Sequence, residues 1–207
     1  MGDSISIHYG PYLQEFLAGT WDYARKEGHA EAMVDLDDPQ GANGGDSGRV
    51  LRYLQELGPT ALAGRVLLLN CGLHDVRRSG PDDTLQVPLA TYRANLKAAF
   101  ALALAAAATI WVRTTPVVEA VHNRPGSPYR RLEADVAAYN RVADEVAREL
   151  GVPCADLHGF TASVLQRLPA AEVWADHVHF TPLVSRLQAS YLAGYLAGRF
   201  GTAHSPT

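Results

Sequence analysis

Two short, unbroken apolar runs constrain this chain most: Arg65 to Asn70 (RVLLLN) and Thr109 to Arg113 (TIWVR). Continuous apolar strands of this kind are covered on both faces, as parallel strands between helices are. Segments of helical period lie around them, so the pattern predicts an α/β fold: a three-layer αβα sandwich with a flavodoxin-like parallel sheet. Ala32 to Leu36 and Val152 to Asp156 are weaker strand candidates. Val50, Leu51, Leu54 and Leu57 line one helix face, with Asp46 or Ser47 as N-cap and Gly58 just past the end. Leu132, Val136, Tyr139, Val142, Val146 and Leu150 mark another helix, which Gly151 closes. A last helix opens at Thr181 with Pro182 in its first position. No linker or repeat divides residues 1–207, so one domain is expected, with a frayed tail from Thr202 to Thr207.

The first helix, expected over about Tyr9 to Lys26, has no strand before it, although a doubly wound sheet calls for one. Met1 and Gly2 are too few to cross a sheet at about 3.3 Å per residue. The first strand is therefore expected either upstream of Met1 or supplied by another segment.

Composition removes several functions. At 47% apolar and 19% charged, the chain has an ordinary globular balance, and a net charge of -4 argues against nucleic acid or an anionic membrane surface as partner. The longest apolar stretch, Ala98 to Ile110, is too short to span a bilayer. No signal peptide is evident, so the chain as it stands is expected in the cytoplasm; an upstream N-terminus would leave secretion open. Cys71 and Cys154 match no zinc spacing and are expected to be reduced, buried thiols.

Polar clusters fall where such a sheet binds ligands, past the carboxyl ends of its strands. They are Gly2-Asp3-Ser4, the turn Asn43-Gly44-Gly45-Asp46-Ser47, the loop Gly72-Leu73-His74-Asp75, and Asp176-His177-Val178-His179 before the final helix. Each alone has an ordinary explanation as a turn, a helix cap or a polar loop. Their order and spacing are more specific. They resemble the SGNH (GDSL-like) hydrolase family, whose blocks are G-D-S, a glycine block, G-x-N-D and D-x-x-H.

The resemblance implies an esterase acting on a small-molecule ester, of acetyl or short-chain acyl type and carried in some cases on a carbohydrate, with no cofactor. Ser4 would be the nucleophile, His179 its base and Asp176 the group that orients the imidazole. The backbone N–H groups of Ser4 and Gly45, with a side chain of the third block, would receive the oxyanion. That block departs from the family: His74 stands where Asn is usual. A histidine N–H can donate as an amide does, but its charge depends on pH. Asp75 is expected to be structural.

Arg77, Arg78 and Trp174 are candidate substrate contacts, and Pro116 to Tyr129 is long enough for a wall or lid. His8 and His204 are expected at the surface. Two other readings stay open: a metal site from His74, Asp75, Asp176, His177 and His179, and a non-catalytic binding domain on the same scaffold. Acyl transfer to an alcohol other than water would use the same groups, and oligomeric state is left open.

Overall fold

A computed structural model describes residues 1–201. Three parallel strands form the sheet: β1 (Val66–Leu69) pairs with β4 (Ala108–Val112), which pairs with β5 (Cys154–Ala155). The strand expected over 152–156 is thus reduced to two residues. A small antiparallel pair, β2 (Arg78–Ser79) and β3 (Thr84–Leu85), lies in the connection after β1.

The helices are α1 (Ser4–Leu17), α2 (His29–Ala32), α3 (Ser47–Leu62), α4 (Leu89–Ala103), α5 (Glu119–His122), α6 (Glu133–Glu149), α7 (Leu157–Leu165), α8 (Ala170–Val173) and α9 (Pro182–Phe200). Of these, α1, α7 and α8 pack with α9, while α4 packs between α3 and α6. These two groups are the outer layers of the sandwich. Trp111, in β4, is fully buried and meets Phe100 of α4 edge-on at 5.6 Å between ring centres. Among the described residues, no helix is long and apolar enough to cross a membrane.

Three local expectations are corrected. The first helix runs from Ser4 to Leu17 rather than from Tyr9 to Lys26. Asp3 caps it by accepting the Ile5 N–H at 3.1 Å, and the chain turns off at Gly19, whose φ is positive. Ala32 to Leu36 is no strand: it is the end of α2 followed by turns. There the Asp35 carboxylate accepts the N–H groups of Asp37 and Asp38, a local alternative to a sheet ladder. Val34, part of the apolar signal, is 86% exposed. The helix closing at Gly58 does break there, but a further turn continues to Leu62.

At the start of the chain, Met1 lies along β1. Its N–H donates to Leu68 O at 2.8 Å, and its carbonyl accepts from Asn70 N at 3.0 Å. Gly2 O then accepts from Gly44 N at 2.9 Å. A Cβ on Gly44 would stand 2.8 Å from that oxygen, so only glycine lets the second block dock on the first. Cys71 and Cys154 are free, Cys71 buried and Cys154 half-buried, and the tail expected to fray from Thr202 lies outside the described residues, as does His204.

Candidate active site

Ser4 is the first residue of α1, so its N–H has no acceptor within the helix and the positive end of the helix dipole lies beside its hydroxyl. Its side chain is buried. His179 reaches it from the loop between α8 and α9, Nε2 lying 2.9 Å from Ser4 Oγ. On the far side of the ring, Nδ1 is 2.7 Å from Asp176 Oδ2. A carboxylate there fixes the proton on Nδ1 and leaves Nε2 to accept from the hydroxyl.

The order of the loop explains this geometry. Asp176 Oδ1 accepts both Val178 N and His179 N at 2.7 Å, curling the D-x-x-H segment so that acid and imidazole meet. Trp174 and Phe180 close the loop's base, bridged in antiparallel fashion with rings stacked at 4.7 Å. Burial alone would raise the Asp176 carboxyl. The bonds from the His179 ring and the two backbone N–H groups outweigh burial and hold it well below the usual carboxylate range.

His74 lies in the loop leaving β1 and is 1% exposed. Gly72 lets this loop pass close to Thr114, whose Oγ1 would stand 2.2 Å from a Cβ there. Burial, followed by the charges of Arg77, Arg131 and Arg49, pushes the imidazole well below its ordinary value. The ring is therefore neutral at pH 7, with one N–H donor where the amide usual at this position has two, and its Nδ1 is buried without a partner. Asp75 points elsewhere: both carboxyl oxygens accept Ser47 N, at 3.0 and 3.1 Å, where α3 begins. Burial pushes Asp75 up to about 7.

Gly45 N donates to Asn43 Oδ1 at 3.0 Å, so an oxyanion would have to share that N–H with the amide. Arg77 donates to Asp37 O at 2.8 Å, the aspartate that His177 also reaches, and lies over the Tyr129 ring at 4.2 Å. Arg78 is engaged elsewhere. Its guanidinium grips Asp135 through Nε at 2.6 Å and Nη2 at 2.8 Å and also reaches Asp83, an ion-pair network that fastens the β2 region to α6. Trp174, between Phe180 and the His122 ring 5.1 Å away, is an anchor of the triad loop.

The five residues of the metal reading do not converge. Asp176 and His179 bind each other, Asp75 caps α3, and His177 Nε2 turns to Asp37 at 3.4 Å. Among the described residues, no three His, Cys, Asp or Glu side chains gather as ligands for a metal ion.

His8 was expected at the surface, yet its ring stacks on His179, centroids 5.0 Å apart and planes 13° from parallel. It follows Ser4 by four residues and so shares its helix face. That signal was readable only with the helix starting at Ser4. Arg131, fully buried with Nε donating to Leu73 O at 2.7 Å, was also missed, because it stands at a polar-looking helix entrance.

A serine–histidine–carboxylate chain, buried at Ser4 and His179 and half-exposed at Asp176, past the carboxyl end of a parallel sheet fits one class: an αβα ester hydrolase. The family follows from comparison with known proteins: residues 1–187 match the model of the GDSL-like lipase/acylhydrolase family, and the chain belongs to that family of carboxylic ester hydrolases. Solved structures share its fold. A lipase/acylhydrolase from Enterococcus faecalis is 16% identical with a TM-score of 0.64, covering 99% of this chain and 96% of that one. LAE5, an alpha/beta hydrolase enzyme from the metagenome of Lake Arreo, Spain, is 18% identical with a TM-score of 0.65, covering 98% and 94%. Axe2, an acetylxylan esterase from Geobacillus stearothermophilus, is 18% identical with a TM-score of 0.61, covering 94% and 81%. A comparison with curated proteins finds no match.

Proposed function

We propose that this protein hydrolyses small esters, acetyl or short-chain acyl groups on an alcohol such as a sugar hydroxyl, through an acyl-enzyme on Ser4. The observation that carries this is the unbroken Ser4–His179–Asp176 chain, at 2.9 and 2.7 Å. The sugar hydroxyl is favoured by the structural likeness to an acetylxylan esterase. Ser4 Oγ attacks the ester carbonyl as its proton passes to His179 Nε2. The carbonyl oxygen becomes an anion, received by the Ser4 N–H with Gly45 N–H and His74 as further donors. Collapse breaks the bond to the alcohol, which leaves with the proton from Nε2. Water, deprotonated by the same nitrogen, then attacks the acyl carbon and releases the carboxylic acid and free Ser4.

Hydrolysis of p-nitrophenyl acetate, butyrate and octanoate tests the reading. The expected order is acetate or butyrate first and octanoate slowest, with turnover unaffected by chelators. Turnover of none of the three, or activity lost to a chelator and restored by zinc, would contradict it.

A further inference from the structure

Nine buried side-chain nitrogen or oxygen atoms among the described residues have no hydrogen-bond partner of good geometry, and three nitrogens among them fall in one neighbourhood, His74 Nδ1, Arg77 Nε and Arg131 Nη1, beside a Tyr129 hydroxyl that leans towards Asp37 and Arg131. Folded proteins pair almost all their buried polar atoms, so a group of such atoms beside an active site needs an explanation.

Their arrangement supplies one. The guanidinium of Arg77 lies 4.2 Å from the centre of the Tyr129 ring and that of Arg131 lies 4.8 Å from it, so one ring covers two cations. Arg131 is 1% exposed and has no carboxylate partner among the described residues. Asp37 is the acid that serves Arg77, at 3.3 Å, and it is shared with His177 at 3.4 Å. Two guanidiniums thus face one divided carboxylate. Burial, with Arg77 alongside, lowers Arg131 to about 10, which still leaves it charged at pH 7. An unpaired buried charge is destabilising, and such a site persists where it has work to do.

We propose that Arg77 and Arg131 form a subsite for a carboxylate carried by the substrate, covered in this structure by the Tyr129 ring. The proposal rests on the esterase reading above and names its substrate class. Arg77 Nε and Arg131 Nη1 carry N–H donors, and a planar, acceptor-only carboxylate complements a guanidinium edge. Bonds from a guanidinium to a carboxylate are stronger than its attraction to a ring face, so the ligand displaces Tyr129 rather than the reverse. Two contacts tie the subsite to the loops that carry His74 and His179: Arg131 Nε holds the carbonyl of Leu73, the residue before His74, and Asp37 reaches His177, two residues before His179. The carboxylate belongs either to the acyl group or to the alcohol.

Two substrate pairs separate these sources. p-Nitrophenyl hemisuccinate against p-nitrophenyl butyrate puts the charge on the acyl side; acetylated methyl galacturonide against acetylated methyl galactoside puts it on the alcohol. In one pair the acidic ester should have the higher kcat/KM by about tenfold or more, the worth of one charge-assisted bond. Arg77→Met and Arg131→Met should each bring that ratio to about one or below, Arg131→Lys should keep part of it, and Tyr129→Ala should raise it. Neutral esters turned over with both ratios at or below one in the wild type would overturn the subsite and leave the esterase intact. Should no ester be turned over, the esterase reading fails instead. Calorimetric titration with monomethyl succinate then still decides: binding to the wild type that Arg77→Met abolishes supports the subsite, and no binding overturns it.

Discussion

Around Ser4 and the loop from Trp174 to Thr181, the atoms we propose to move a proton are all paired: Ser4 Oγ with His179 Nε2, His179 Nδ1 with Asp176 Oδ2, and Asp176 Oδ1 with two N–H groups of the loop. In the loop after β1 and the approach to α6, by contrast, His74 and Arg131 keep buried nitrogens with no partner. The difference matches the role we propose for each part. Proton transfer needs its groups aligned before substrate arrives, and hydrogen bonds within the protein provide that. Groups that receive charge work best when held in place with donors unspent, because their partner exists only in the transition state or on the substrate. The first arrangement stabilises the fold, whereas the second costs stability.

The contrast breaks most visibly at the triad. Ser4→Ala should lower kcat by about 10⁴ or more, and adding His179→Ala should cost little further, since the groups act as a unit. Independent, multiplying losses in the double variant would mean that the paired side does not act as one device. At the unpaired loop, His74→Ala should lower kcat by roughly 10²–10³ with KM nearly unchanged, the usual size for one oxyanion donor. His74→Asn should stay within about tenfold of wild type, because the neutral ring and the amide each donate one N–H to the oxyanion. An unchanged kcat in His74→Ala, measured on active-site-titrated protein, would leave the backbone donors alone at the site.

Asp75 sharpens the same comparison through stability. Its folded value of about 7 lies above the ordinary carboxylate value, so the folded state holds this proton more tightly than the unfolded chain does. The stabilisation is complete below the ordinary value and is lost as pH rises towards 7. Denaturant melts should therefore show wild type losing stability relative to Asp75→Asn between about pH 4 and 7, by on the order of a few kcal/mol. A constant difference across that range would mean that the carboxylate is ionised in the fold throughout.

The smallest effect belongs to His8. Burial, and then the charge of His179, lower its imidazole, so it stacks on the His179 ring as a neutral ring at pH 7. As a positioning residue it should cost about three- to tenfold in kcat when changed to Ala. His8→Phe should recover most of that loss, because the ring rather than its nitrogens makes the contact. Equal losses in both variants would assign the effect to the nitrogens.

Much of this architecture can be read from residue order. The strands at 65–70 and 109–113 are continuous apolar runs, and Thr181-Pro182 announces the last helix, because those signals are local. Asp176 and His179 are legible for the same reason, since three residues and two short backbone bonds bring them together. What escapes is whatever depends on partners distant in sequence. Arg78 looks as available as Arg77 until Asp135, 57 positions later, claims it. His8 reads as a surface group until the α1 boundary moves back to Ser4. Ala32 to Leu36 is a local exception: it carries strand-like residues, but the Asp35 carboxylate bends the backbone that follows by accepting from Asp37 and Asp38.

Central to the proposed function is Ser4, which carries the acyl group between two half-reactions. Mixing the enzyme with excess p-nitrophenyl acetate, quenching in acid within milliseconds and mapping peptides by mass spectrometry observes this directly. An acetyl group is expected on the N-terminal peptide at Ser4, absent from Ser4→Ala and accumulating more slowly in His179→Ala. Hydrolysis at the wild-type rate by Ser4→Ala, or acetyl found on another residue in catalytic amount, would contradict it.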